Sequence, residues 1–239
     1  MRKLTLDRIL QSQGFGTRKA CQALVRDGEV AIDGEVVSDF KAQFATDGLA
    51  FTVSGERWEF HEHLYLALNK PPGYECSRKP SHHPGVLSLF PGQFTWRETQ
   101  PVGRLDHDTT GLLLLSDDGA FIHAHTSPKR QVPKAYLATT QNPVTPALVA
   151  ALLHGVKLED EPAPIAAQAC REVDSHQLEI VLEQGKYHQV KRMLAAAGNH
   201  CAALHRTRIG GLTLASLGLQ QGEWCHLRPG QRELLADRR

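Results

Sequence analysis

No stretch of this 239-residue chain approaches the roughly eighteen consecutive apolar residues that a membrane helix needs, and Met1-Arg2-Lys3-Leu4-Thr5 lacks the apolar core of a signal peptide. Cysteine is scarce and poorly placed for cross-linking: Cys21, Cys76, Cys170, Cys201 and Cys225 are odd in number and include no CxxC pair. That argues against a disulfide framework or a zinc ribbon and for reduced thiols in a cytoplasmic protein. Histidine is plentiful, at thirteen, but neither His61/His63 nor His123/His125 has a convincing third ligand nearby, so no metal is expected. What remains, 41% hydrophobic and 22% charged, is the composition of an ordinary soluble globular protein, long enough for two domains.

A dominant net charge is missing too, since Lys and Arg together exceed Asp and Glu by only one. The average conceals a segregation. Residues 1–26 hold six basic side chains (Arg2, Lys3, Arg8, Arg18, Lys19, Arg26) against Asp7 alone. Residues 186–208 hold five (Lys186, Lys191, Arg192, Arg206, Arg208), three histidines and no acid. Such clustering is the footprint of a polyanion contact, or else of two solvated faces.

Apolar residues at 4, 6, 9 and 10 predict a helix over Leu4–Gln13, stopped by Gly14. Thr17 is a suitable N-cap for a second helix, Arg18–Arg26, with Ala20, Cys21, Leu24 and Val25 turned inward. Arg18 and Lys19 in its first turn oppose the helix dipole, which hints that something negative docks there. Residues 29–37 read as a hairpin turning on Asp33-Gly34. The polar stretch 54–63 is assigned to a linker, giving domains at 1–58 and 63–239. Leu64–Leu68 reads as a strand entering the rigid Asn69-Lys70-Pro71-Pro72-Gly73, and 74–100 as a long functional loop.

The second domain is organised around Pro101–Gly119, PVGRLDHDTTGLLLLSDDG. Leu112–Leu115 is a short apolar run bounded by turn residues, which suits a strand buried on both faces. The loop before it presents Arg104, Asp106 and Asp108 from a rigid base. A carboxylate held there beside an arginine can act as a nucleophile or general base, or can simply cap the turn. Further on the pattern predicts helices at Ala120–His125, Pro146–His154 and Lys186–Ala197, strands at Lys134–Thr139 and Leu178–Leu182, and short strands and turns from Cys201 to Leu227. This order of elements predicts an α+β fold with a largely antiparallel sheet.

Residues 4–50, ending in DGEVAIDGEVV and its continuation, resemble the small αL RNA-binding domain of a ribosomal small-subunit protein and of several RNA-modifying enzymes. The resemblance implies that Arg8, Thr17, Arg18, Lys19 and Arg26 contact RNA phosphates, positioning RNA without reading its sequence. Behind that domain come NKPPGY (69–74), GRLDHDTTGLLLLSDDG (103–119), KAYLATT (134–140), EQGKYHQVKRMLAAAGNH (183–200) and HRTRIGGLTL (205–214). In this order they resemble the RsuA-type pseudouridine synthases over essentially the whole chain. Within that group KYHQVKRMLAAAGNH and LHRTRIGG are most similar to members acting on small-subunit (16S) ribosomal RNA, with the large-subunit (23S) enzymes as the nearest competitors.

The resemblance implies that a uridine is detached at its glycosidic nitrogen, rotated, and rejoined to the ribose through C5, with no redox change and therefore no cofactor or metal. It implies Asp106 as the catalytic carboxylate acting at the anomeric carbon, Tyr136 stacking on the base, and Arg104 orienting the loop or assisting base extrusion. Lys191 matches the family's basic position and is expected beside Asp106, keeping it ionised, although a buried lysine's own pKa can shift downward. Lys186, Arg192, Arg206 and Arg208 are expected to join the phosphate contacts that offset the cost of flipping the base. The implied partner is ribosomal RNA or a small-subunit assembly particle, bound by a monomer with no membrane contact. Two other readings stand beside this one. One is a ribosome-associated RNA-binding protein without activity; the other is a hydrolase using Asp106 with Asp108 as its second carboxylate.

Overall fold

The structure, a computed structural model, describes residues 2–127 and 130–237. It divides into two units, Met1–Leu64 with Leu87–Thr99, and Tyr65–Val86 with Gln100–Arg239.

In the first unit β1 (Lys3–Thr5) leads directly into α1 (Leu6–Ser12), followed by α2 (Arg18–Arg26). The helix expected from Leu4 therefore starts at Leu6. Lys3 to Thr5 instead pair antiparallel with a later strand, Leu4 opposite Phe44, and that pairing overrides the local helical spacing. Thr17 caps α2, its hydroxyl accepting from the Ala20 amide at 3.3 Å. Cys21 and Val25 are buried as expected, whereas Ala20 is exposed. Next come β2 (Val30–Ile32), β3 (Glu35–Val36), β4 (Gln43–Ala45), β5 (Ala50–Val53) and β6 (Glu56–Glu59). The β2–β3 turn uses Asp33 and Gly34 at φ of 51° and 84°, the paired left-handed residues that a two-residue hairpin needs. The sheet order is β3-β2-β5-β6.

The stretch assigned to a linker is thus partly strand. β6 sets Trp58 opposite Phe51 and edge-on to Phe15, with ring centroids 5.1 Å apart. Glu56, Arg57 and Glu59 owe their polarity to an edge strand, not to a connector. After β7 (Tyr65–Lys70), residues 87–99 belong to this first unit and are more ordered than the expected loop. They form α3 (Gly92–Trp96), whose Phe94 is buried, and Arg97 donates to the Gln13 side chain at 2.8 Å and to the His61 carbonyl at 2.9 Å.

The second unit is built on a nine-stranded sheet. After β7 the chain forms β8 (Gln100–Val102), β9 (Thr110–Ser116), α4 (Gly119–Thr126), β10 (Lys134–Thr140), α5 (Pro146–His154), β11 (Ala169–Asp174) and β12 (Gln177–Leu182). Then follow α6 (Gln189–Ala196), β13 (Cys201–Ile209), β14 (Leu212–Thr213), α7 (Leu214–Leu217), β15 (Trp224–His226) and α8 (Pro229–Leu234). The main order is β11-β12-β10-β13-β9-β7-β15, with β8 on β9 and β14 on β13. Among the described strands only β9 and β13 run parallel, so the expected mostly antiparallel α+β sheet is what forms. Leu112 to Leu115 are each at most 1% exposed, which is the strand buried on both faces that the apolar run predicts. Burying one such leucine contributes about 2 kcal/mol, so β9 is a stiff base for whatever precedes it.

Two expectations shift here. The helix expected from Lys186 begins at Gln189, because His188 is left-handed at φ 45° and breaks the run. The tail expected as short strands begins with β13, nine residues long. Its polar run His205-Arg206-Thr207-Arg208 hides the strand's periodicity. Among the described residues no helix is long and apolar enough to cross a membrane.

Candidate active site

The turn residues between β8 and β9 throw residues 103–109 out as a loop, and β9 fixes where it begins and ends. Gly111 lets this happen. A Cβ there, at φ +98°, would lie 2.3 Å from the Arg206 carbonyl oxygen, so only glycine allows β9 to approach β13 this closely. Beneath the loop lies Lys70 at the end of β7, with no exposed surface. Its ammonium donates to the carbonyls of Pro71 (3.1 Å), Asp106 (3.2 Å), His107 (3.2 Å) and Thr109 (2.9 Å). Burial lowers its pKa, opposed by the thiol and carboxylates of Cys76, Asp108 and Asp106 nearby. Lys70 thus pins the backbone at Asp106 and just after it to the end of β7.

Asp106 meets two nitrogens from the start of α6. Lys191 Nζ lies 3.1 Å from its Oδ2 and His188 Nε2 lies 3.3 Å from its Oδ1. Lys191 is shared, since it also reaches both oxygens of Asp108 at 2.7 and 2.9 Å. Partial burial works against the charge on Lys191, but the hydrogen bonds to Asp108 and Asp106 outweigh it and raise the pKa. The downward shift open to a buried lysine does not occur. Burial would raise the Asp108 pKa, and the Lys191 hydrogen bond and charge bring it down instead. His188 reaches Asp106 from a left-handed backbone, costing about 1 kcal/mol for a residue with a Cβ.

Tyr136 on β10 and Asp106 line one narrow cavity of about 80 Å³, together with Arg104. Arg104 is exposed and forms no ion pair among the described residues, so it is free to move with a substrate. A wider cavity of about 820 Å³ opens on the other side of Asp106, where the His83 and His107 rings stack at 4.4 Å and the His188 and Tyr187 rings at 3.8 Å. A carboxylate beside a cation, an aromatic ring close by, and flat rings at the entrance are suited to holding and attacking an unstacked nucleoside.

The remaining expected contact residues divide by unit. In the first, Arg8, Lys19 and Arg26 are exposed, Thr17 is occupied with its cap, and Arg18 spends its Nε on Asp7 at 2.8 Å. In the second, the patch that is acid-free in sequence is not acid-free in space. Lys186 pairs with Glu161 and Arg192 with Asp160, both from the loop before β11, while Arg208 donates to the Gly210 carbonyl at 2.8 Å. Arg206 corrects the expectation outright. It is 2% exposed and its Nε donates to the Leu112 carbonyl at 2.7 Å, so it is no surface phosphate contact.

Residues reasoning from sequence missed are Lys70, hidden among the prolines of NKPPG, and His188, which carried a signal in its place three residues before Lys191.

Comparison with known proteins agrees with this geometry. The model of the RNA pseudouridylate synthase family matches residues 64–196, and the S4 domain matches residues 4–41. Ribosomal small subunit pseudouridine synthase A of Escherichia coli (strain K12) is 35% identical, over 98% of this chain and 99% of its own length. An uncharacterized RNA pseudouridine synthase of Bacillus subtilis (strain 168) is 34% identical over 97% and 98%. A crystal structure of a pseudouridylate synthase superposes with a TM-score of 0.68 at 35% identity, covering 97% of this chain and 99% of that one. With the family match covering both Asp106 and Tyr136, and relatives aligned over nearly the whole chain, the chain belongs to the RNA pseudouridylate synthase family and is a pseudouridine synthase with an N-terminal S4 domain.

Proposed function

We propose that the chain isomerises one uridine of small-subunit (16S) ribosomal RNA to pseudouridine, with Asp106 as the nucleophile. The observation that carries this reading is the Asp106–Lys191 pair, 3.1 Å apart, at the mouth of the cavity that Tyr136 lines. An ionised carboxylate of this kind attacks the anomeric carbon of a flipped nucleotide as the base departs. Tyr136 stacks on the base while it turns, and Arg104, unpaired at the rim, assists its extrusion. The base then reattaches through C5, the carboxylate is released, and the C5 proton is lost. The reaction is redox-neutral, so it calls for no redox cofactor.

The first unit acts as the RNA-binding domain and the unit from Tyr65 onward as the synthase, with residues 87–99 grouped with the former. Arg8, Lys19, Arg26 and the outer part of Arg18 contact phosphates, joined by Lys186, Arg192 and Arg208 if RNA displaces their present partners. The 16S target is supported by the end-to-end similarity to the E. coli small-subunit enzyme. A monomer working in the cytoplasm fits the reduced cysteines and the single-chain site.

Purified protein given 16S transcript, without cofactor or added metal, is expected to form pseudouridine at one position, seen by primer extension after carbodiimide treatment. An unmarked transcript, both naked and in partly assembled particles, would overturn the assignment. Modification of 23S transcript alone would move the target to the large subunit, and free uracil with abasic RNA would make the protein a hydrolase.

A further inference from the structure

One pair of charges in the synthase unit is not used by the chemistry above. Lys134 and Tyr136 stand two residues apart on β10 and face the same way, and Arg206 lies directly across from Tyr136 on β13. All three line a cavity of about 450 Å³ that shares Arg104, Tyr136 and the stretch 184–186 with the narrow cavity of Asp106, so the two are continuous at the tyrosine. Arg206 Nη2 is buried with no hydrogen-bond partner among the described residues. The Lys134 ammonium donates to the Val132 carbonyl at 2.8 Å and is in no ion pair among them. Glu183 is the one carboxylate in the lining and is joined to neither cation. Burial, helped by the charge of Arg206, lowers Lys134 to about 8. Two crowded cations and an unsatisfied donor make a site that is unfavourable when empty and improves when an anion enters.

We propose that Arg206 and Lys134 hold the carbonyl oxygens of the flipped uracil and stabilise the negative charge it carries once its glycosidic bond has broken. This rests on the isomerase reading. When an Asp106 oxygen bonds to C1′, the C1′–N1 bond breaks and its electron pair leaves with the base, spread over N1, O2 and O4. When C5 then attacks C1′, the Asp106 ester bond breaks and the carboxylate is restored. The C5 proton is lost and N1 gains one, so no proton is consumed. Depth favours the base over a phosphate as the ligand. A phosphodiester must remain continuous with the strand outside, whereas Nη2 is closed to solvent at the wall of the cavity that Tyr136 also lines. The preorganised cations act where charge develops, which is where such groups accelerate reactions most.

The test is a cycle between protein and substrate atoms. Single-turnover rates are measured for wild type, Lys134→Gln, Arg206→Gln and Arg206→Lys on RNA carrying uridine, 2-thiouridine or 4-thiouridine at the target, since sulfur is a poor acceptor. Each Gln variant is expected to lose about 100-fold on uridine, with RNA affinity within about twofold, and Arg206→Lys to recover part of the rate. On at least one thio substrate the loss is expected to shrink by about tenfold, because the contact is already absent. Equal losses on all three substrates would overturn the proposal. So would weakened RNA binding with a salt slope lower by about one, the signature of a phosphate contact. Melting curves identify a variant that fails to fold; if Arg206→Gln does, the half-buried Lys134 carries the cycle alone. A wild-type enzyme that forms no pseudouridine would sink the isomerase reading and this one with it, whereas an active wild type with additive losses sinks only this one.

Discussion

Asp7 in the first unit and Asp106 in the second are both carboxylates paired with a cation, yet they are built for opposite ends. Asp7 has no exposed surface and accepts from Thr5 Oγ1 at 2.6 Å, Arg18 Nε at 2.8 Å and Gln22 Nε2 at 2.8 Å. Burial alone would raise its pKa, but those three hydrogen bonds and the Arg18 charge overcome it and hold the group at about 2. Asp106 keeps 28% of its side chain exposed, and it shares Lys191 with Asp108, which sits closer to that lysine. The first carboxylate accepts from three donors and serves as a brace between α1 and α2. The second is positioned beside a cation and left with open faces toward a cavity, which a nucleophile requires. A short carboxylate–cation distance alone does not tell the two uses apart; exposure and the number of donors do.

The same isosteric change at each site should therefore break different properties. Asp106→Asn is expected to cut pseudouridine formation by at least about 10⁴-fold while melting temperature and RNA affinity stay near wild type. Substantial residual activity, measured by single-turnover assay, would remove Asp106 from the nucleophile role. Asp7→Asn is expected to leave chemistry intact at permissive temperature and to cost about 2 kcal/mol of stability. The sign of its pH dependence follows from the depressed pKa. The contribution is complete above the ordinary value of 3.8 and disappears as pH falls through about 2. Urea unfolding between pH 5 and pH 2 should show that loss in wild type and lack it in Asp7→Asn. If both substitutions affected rate and stability alike, the contrast between brace and nucleophile would be wrong.

How much of this was legible in the sequence depends on whether the relevant neighbours lie close along the chain. The four leucines of β9, the Thr17 cap and the Asp33-Gly34 turn are local patterns, and each appears where expected. Asp106 stood out through its motif, and its cation was expected because Lys191 matches the basic position of the family that the chain resembles. Lys70 was not legible. A lysine before two prolines reads as an exposed charge, and its role comes from carbonyls 36 to 39 residues further on. The acid-free patch failed for the same reason, since Glu161 and Asp160 approach Lys186 and Arg192 from 25 and 32 residues away. Residues 74–100 looked featureless because Phe90 and Phe94 are too few to set a period, though both are buried. Charge counted along a sequence says which side chains exist, not which remain unpaired after folding.

The smallest effects expected are on the basic face of the first unit, and they return to Asp7. Arg8, Lys19 and Arg26 are exposed and in no ion pair among the described residues, so a phosphate is a partner they lack. Replacing any one with Gln is expected to weaken RNA binding only a few-fold, about 0.5–1 kcal/mol, with the salt slope falling by about one and no loss of stability. Arg18 has 54% of its side chain exposed but its Nε bound to Asp7, so it belongs to both the brace and the RNA face. Arg18→Gln should therefore weaken binding by a similar factor and also lower stability, because Asp7 would be left buried with one donor and one charge fewer. Filter binding across salt concentrations, paired with unfolding curves for the four variants, checks the distinction. A stability loss in Arg18→Gln alone marks the residue as the link between structure and recognition; equal behaviour in all four would mean that the Asp7 contact is incidental to the fold.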